Sequence, residues 1–372
     1  MNNKPVYLKG LNGIRAIAAI AVVFSHSTLR LDLFGLNAHI LGTQINGEPR
    51  SFDLAGYGVS MFFTLSGFLI TYLLLLEKEK RPISIRKFYY RRILRIWPLY
   101  YAYMLICFLC YFFFNINTNY SSTYYYLFYA ANIPFILGKE LFLLGHFWSL
   151  AVEEQFYLFW PWLNRLNVKL LKKIILVLIF LLVGLKLIFH FIFQSTLVEV
   201  AIHVTRFHCM LIGCYASILY YEKNRIFLKI ATHKAIQLLA WVAISLVAVN
   251  MFHIASIIDN EIITFITVII ILGQITSKGL INLENKLFNF LGKISYGIYV
   301  IHPIIIFLCS KILIVKTGFV AFDYIVVYSV IIGLTILFSY LSFTYFETFF
   351  LQIKKKKYTV IYSTSDVHET KS

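Results

Sequence analysis

The sequence predicts an all-α polytopic membrane protein, a bundle of about ten transmembrane helices with the N-terminus and C-terminus both cytoplasmic. Three observations predict it. Of the 372 residues 60% are hydrophobic and only 14% charged, whereas soluble domains run at roughly 45–50% and 25%, so a soluble globular protein is excluded. Apolar runs recur along the whole length, fed by 35 Phe and 26 Tyr, so the excess does not belong to a single anchor. Finally, the 34 Lys and Arg residues segregate to alternate loops, which is how the translocation machinery reads orientation.

A span needs about 20 mostly apolar residues, fewer where interfacial aromatics or snorkelling lysines help its ends. Stretches near 11–29, 57–76, 98–114, 147–163, 174–193, 207–221, 235–252, 262–277, 294–311 and 324–348 qualify. The first run has no small-residue cleavage site after it and reads as a retained helix. The stretch 123–137, broken by Asn132 and Pro134, reads as an interfacial or re-entrant segment, which needs protein cover over its irregular backbone. With the N-terminus inside, 26 basic residues fall in cytoplasmic loops, eight of them in 77–97, and six in outer loops; Arg15 and Lys186 alone fall within spans. The net charge of +17 is thereby a topology signal, and no nucleic acid is needed to explain it. Residues 1–352 form the transmembrane domain, and 353–372 a short basic and polar cytoplasmic tail, expected to be disordered beside the anionic leaflet.

Within this frame a few ionisable residues stand out, because charge inside a bilayer is costly and by default functional. Arg15 and His26 lie eleven positions apart on the first span, about three helical turns and a rise of roughly 16 Å, so they share a face. The plainer account is that Arg15 snorkels to one rim while His26 sits at the other. Glu153 and Glu154 stand about two turns inside the outer end of the fourth span, near the depth of His26. A histidine and a carboxylate at one depth are the parts of a general base and its orienting partner; a structural ion pair is the alternative. In the loop RPISIRKFYYRRILRIWP, Arg91 and Arg95 are neighbours at i,i+4 and Arg92 adjoins them. Guanidinium forks suit phosphate, although a positive loop also serves topology alone. Tyr89, Tyr90 and Trp97 beside them favour an anionic, partly stackable ligand.

Other residues carry weaker signals. The five cysteines show no disulfide framework and no metal-site spacing, leave the redox compartment undetermined, and in the case of Cys107 and Cys110 read as core packing. Lys186 and His190 share a helix face, with Lys186 close enough to the helix end to snorkel. Glu347 could pair with a tail lysine.

Read in order, these segments resemble the acyltransferase-3 family, integral membrane O-acyltransferases that modify bacterial cell-surface glycans. The opening Arg and His separated by ten residues fall on Arg15 and His26 in LNGIRAIAAIAVVFSH. GVSMFFTLSGFLIT (58–71), FYYRRILRIWPLYY (88–101), WSLAVEEQFYLFWP (148–161), LGKISYGIYVIHP (291–303) and YFETFF (345–350) resemble the family's later motifs. There are departures. Ser60 stands where many members carry an acidic residue, and Arg206-Phe-His208 resembles an Arg-x-Asp pattern with His in place of Asp. Some relatives add an extracytoplasmic esterase-like domain; here the chain stops soon after the tenth span, so the expectation is that the membrane domain, or a separate partner, completes the transfer.

The resemblance implies an acyl-CoA donor, most often acetyl-CoA, on the cytoplasmic side of the inner (cytoplasmic) membrane, and an acceptor hydroxyl on an extracytoplasmic polysaccharide such as O-antigen, capsule or a similar glycan, lipid-linked or free. Arg91, Arg92 and Arg95 would hold CoA phosphates. His26, oriented by Glu153 or Glu154, would deprotonate the hydroxyl or carry the acyl group covalently. Arg15 would stabilise the thioester oxyanion or the donor phosphates, and His146, outside the family pattern, serves as a control whose substitution should cost less. No metal is implied. The alternative is a transporter or flippase for an anionic or glycan-linked substrate, against which the lack of an internal repeat counts.

Overall fold

The computed structural model of the chain describes residues 6–44, 47–193, 196–313 and 317–359. Among them the fold is helical throughout, with one isolated bridge between Thr43 and Pro49 in the loop that follows the first long helix and no strand. The ten principal helices are α1 (Leu11–Thr28), α2 (Asp53–Lys80), α3 (Ile85–Phe113), α4 (Phe147–Leu163), α5 (Val168–Ile188), α6 (Phe207–Tyr221), α7 (Lys234–Ala248), α8 (Asp259–Ile275), α9 (Ser295–Ile312) and α10 (Val320–Leu341). Each overlaps one of the ten stretches picked out by hydropathy, and α3 also takes in residues 85–97, which were expected as loop. Seven helices are long and apolar enough to cross a bilayer by themselves, and the bent pair Arg225–Ala231 and Lys234–Ala248 can count as one more. α4 and α8, at 17 residues each, are shorter than a typical span. The chain is a multi-pass membrane protein.

Local signals set the helix ends. Ser84 opens α3 by accepting from the Lys87 backbone N–H, and Asn167 opens α5 by accepting from that of Leu170. The stretch 123–137 forms two short helices, Thr123–Leu127 and Asn132–Ile136, and α4 covers the break: Gln155 donates to the Tyr129 carbonyl and to Asn132. The last helix does not stop where the sequence reading began a tail. Beyond a wide turn at Ser342–Glu347 it continues to Lys357, so residues 353–357 are helical, and what was expected of 360–372 lies outside the described residues.

Composition sorts the helices into layers. α1 and α2 are the centre, with 72% and 67% of their apolar windows buried, while only 11% of the apolar window of α5 is buried, so most of its apolar surface faces lipid. At the centre α2 crosses α6 backbone to backbone. A Cβ added to Gly67 would stand 2.1 Å from the Met210 carbonyl oxygen, and one added to Gly213 would stand 2.2 Å from that of Thr64; glycine is what lets these helices meet, as small residues do in membrane interfaces. Gly67→Ala should therefore destabilise the protein by about 1–3 kcal/mol or more, since backbone on both sides must move. Thermal melting in detergent checks this, and a melting temperature equal to the parent's would contradict it.

Candidate active site

Five helices enclose one cavity. α1 contributes Arg15, α2 Phe62 and Ser66, α3 Arg92 and Arg95, α4 Ser149, Glu153 and Tyr157, and α9 Ser295, Tyr296 and Tyr299. Three guanidinium groups thus face a single carboxylate. Glu153 accepts from the hydroxyls of Ser66 and Tyr157, which hold it in the cavity that the arginines line. Arg15 reaches Asn12 Oδ1 at 3.5 Å, and Arg92 lies over the Tyr157 ring at 4.7 Å. An excess of positive charge inside a bundle is costly unless an anion joins it.

Beside this cavity lies a second one that shares Arg92 and Arg95 and adds Glu77, Arg91, Lys354 and Thr359. Here the three arginines part company. Arg91 Nη2 pairs with Glu77 Oε2 at 2.8 Å, and Glu77 is buried. Arg91 Nη1 also donates to the Tyr358 carbonyl at 3.1 Å, and the Tyr358 ring stacks on Tyr90 with centroids 4.7 Å apart. The pair that faces the main cavity is Arg92 with Arg95, at i,i+3, while Arg91 meets Arg95 only in the second cavity, where Glu77 pairs with Arg91.

Three turns along α1 the shared face of Arg15 and His26 meets α9 again. His26 Nδ1 lies 2.7 Å from His302 Nε2. His146 packs against His302 with ring centroids 5.3 Å apart, and its Nε2 donates to the Val300 carbonyl at 3.1 Å. Tyr299 links this histidine cluster to the cavity. Its ring lies 5.5 Å from that of His146 and 6.1 Å from that of His302, and its hydroxyl donates to the His146 carbonyl at 2.9 Å while standing 2.6 Å from Ser149 Oγ.

The expected pairing of His26 with Glu153 or Glu154 is corrected by this geometry. Glu153 faces the arginines. Glu154 receives the Trp97 indole N–H at 3.4 Å, and its other oxygen is buried with no partner among the described residues. His26 pairs with His302, which sequence reasoning quoted inside a motif without giving it a part; a second ionisable residue within an apolar span was the signal available. His146 is likewise no bland control, since it belongs to the cluster. Lys186 does not snorkel: it is buried, with Nζ 2.8 Å and 3.1 Å from the two oxygens of Glu261. His208 Nε2 stands 3.1 Å from the same carboxylate, so the His of the Arg-x-His departure sits beside an acidic residue from α8. His190, grouped with Lys186 on sequence, instead meets Glu199 at 2.8 Å. Ser60 is buried, donating to Asn260 at 2.8 Å and accepting from Arg206 at 3.0 Å. Glu347 is buried and accepts from Ser342 at 3.1 Å. Cys107 is buried in an apolar core.

A family model described as an acyltransferase domain matches residues 8–344. The chain belongs to the acyltransferase-3 family. Among curated proteins it is similar to the O-acetyltransferase OatA of Staphylococcus aureus, 28% identical over 95% of this chain and 58% of that protein. It is also similar to the peptidoglycan O-acetyltransferase OatA of Listeria monocytogenes, 30% identical over 46% of this chain and 27% of that protein. With the putative peptidoglycan O-acetyltransferase YrhL of Bacillus subtilis it is 31% identical over 42% of this chain and 23% of that protein. The chain thus spans little more than half the length of the S. aureus relative. No solved structure matches. For this acyltransferase-3 chain, the matched region takes in both the arginine-lined cavity and the histidine cluster.

Proposed function

We propose that the protein is a membrane O-acyltransferase, moving an acyl group, acetyl first among candidates, from cytoplasmic acyl-CoA to a hydroxyl of an extracytoplasmic cell-wall glycan. In this reading all ten helices cross the cytoplasmic membrane and both termini are cytoplasmic. One observation carries it: helix α1 bears an arginine in an anion-attracting cavity at one end and a histidine with a polar partner at the other, and Tyr299 of α9 touches both places. The names of the relatives support peptidoglycan as the acceptor.

The donor's phosphates lie against Arg92 and Arg95, with Arg15 further in, and the slender pantetheine arm carries the thioester along the bundle towards the histidines. Arg15 stands about three turns, roughly 16 Å, from His26 along α1; that separation favours its holding the donor over stabilising an oxyanion at His26. His26 removes the proton from the sugar hydroxyl, whose oxygen attacks the thioester carbonyl. The carbon–sulfur bond breaks, the thiolate of CoA leaves, and the imidazolium proton neutralises it.

The test uses the protein in liposomes with its basic loops facing outward, given labelled acetyl-CoA in the bath and soluble peptidoglycan fragments inside. Label is expected in ester linkage on the enclosed glycan. Reporter fusions after residues 85 and 358 should read cytoplasmic, and fusions near 45 and 257 extracytoplasmic. Glycan left unlabelled by correctly oriented, folded protein, or the same sign at 45 and 85, would overturn the reading.

A further inference from the structure

The acyl-transfer reading leaves open what makes His26 a base, and the structure carries that question one residue further. We infer that His302 is a positioning residue that fixes the tautomer of His26, so that the free lone pair lies on Nε2 and faces the acceptor hydroxyl. This rests on the reading above and deepens it.

The argument starts at a main-chain carbonyl. His302 Nδ1 is 3.1 Å from the carbonyl oxygen of Ile298, one turn back on α9. A carbonyl only accepts, so Nδ1 of His302 holds the hydrogen. In the neutral ring Nε2 is then the acceptor. Nε2 faces His26 Nδ1 at 2.7 Å, and a nitrogen lone pair there requires a hydrogen on the His26 side. His26 therefore carries its hydrogen on Nδ1, and its Nε2 is left bare. This is the less common tautomer of a free histidine, so the partner does the selecting.

Pro303 follows His302 within α9 and has no N–H to give to the Tyr299 carbonyl one turn back, which loosens the turn beside His302. On its other side His302 is walled by the rings of His146 and Tyr299. His302 is wholly buried and His26 only half-buried, which suits an inner ring that orients and an outer ring that meets substrate. When His26 takes the hydroxyl proton, its Nδ1–H becomes a charge-assisted donor to His302, so the pair is stronger in the transition state than before it.

Three substitutions and one spectrum test this. His302→Phe keeps the ring volume and removes both nitrogens. His302→Gln places an acceptor oxygen near the old Nε2. His302→Asn keeps a group near the old Nδ1 and cannot reach His26. Expected transfer rates fall about 10–100-fold for Phe and Asn, the scale of a lost hydrogen bond to a charged group, with Gln recovering most of the loss. Nitrogen-15 spectra of histidine-labelled protein in detergent, with the His26 signals assigned by their loss in His26→Ala, should show protonated Nδ1 and bare Nε2. This measurement on the unsubstituted protein stands even where a variant fails to fold. Parental activity in a folded His302→Phe variant, equal losses in Gln and Asn, or a His26 ring protonated on Nε2 would each overturn the inference. If His26→Ala is inactive while His302→Phe is not, this inference fails and the acyl-transfer reading stands; if both retain activity, the reading itself fails.

Discussion

His26→Ala is expected to lower acyl transfer by about 10²–10⁴-fold while the protein still inserts and accumulates. The magnitude is what a positioned general base contributes, and no other imidazole is placed to replace it: His302 is buried behind it, and the Nε2 of His146 already donates to the Val300 carbonyl. The cost to stability is smaller. The substitution leaves one buried acceptor, His302 Nε2, unpaired, worth about 1–3 kcal/mol. Residual transfer is measured with labelled acetyl-CoA, and folding by melting in the same detergent. The control belongs on the loop between α1 and α2, where the exposed His39, within 2.9 Å of Thr43 Oγ1, can be replaced with no effect on transfer. His146 cannot fill that place, because removing it disturbs the wall of the His302 ring. Parental transfer by a folded His26→Ala variant would end the general-base mechanism.

How much of this was legible beforehand divides along a physical line. The principal helices were readable because lipid favours long apolar runs, and each run is a property of contiguous residues; seven helices are long and apolar enough to cross a bilayer by themselves. The shared face of Arg15 and His26 was readable for the same reason, since the rotation between two positions on one helix is fixed by its period. What could not be read was how each helix is turned about its own axis relative to its neighbours. Spacing put Glu153 near the depth of His26, yet it is His146, about two turns earlier on α4, that reaches the histidine cluster, and Glu153 stands at the level of Arg15, facing Ser66. The partner of His26 comes from 276 positions along the chain, a choice made by packing between α1 and α9. Lys186 misled for a related reason. Snorkelling is the cheapest course for a lone lysine in a span, but α8 carries Glu261 in its first turn, at a level where Lys186 pairs with it. The arginine cluster was readable, since Arg91, Arg92 and Arg95 line one cavity, but the Glu77 carboxylate of α2 that takes up Arg91 was not.

That last division yields the second large expected effect. Arg92→Lys and Arg95→Lys should each raise the acyl-CoA concentration needed for half-maximal transfer by about tenfold, with acceptor preference unchanged. Lysine keeps the positive charge that sets loop orientation and loses the planar fork that grips a phosphate with two parallel hydrogen bonds. One lost charge-assisted hydrogen bond is worth about 1.5–3 kcal/mol, which is a factor of ten or somewhat more. Arg92→Ala combined with Arg95→Ala removes the charge as well and should weaken donor binding by a further factor of at least about ten. Arg91 should behave differently. Its guanidinium is held by the buried Glu77 carboxylate at 2.8 Å, so Arg91→Ala strands a charge in the interior and should cost about 3–5 kcal/mol of stability. Its mark is a lowered melting temperature, and folded Arg91→Lys should need little more donor than the parent. Titrating acyl-CoA at saturating acceptor, with melting curves for every variant, separates the two. If Arg92→Lys and Arg95→Lys bind donor as tightly as the parent, the cavity's guanidinium groups do not read phosphate geometry. If Arg91→Lys alone shifts the donor requirement, the donor enters through the second cavity, beside Glu77 and Thr359, and not through the one that Arg15 lines.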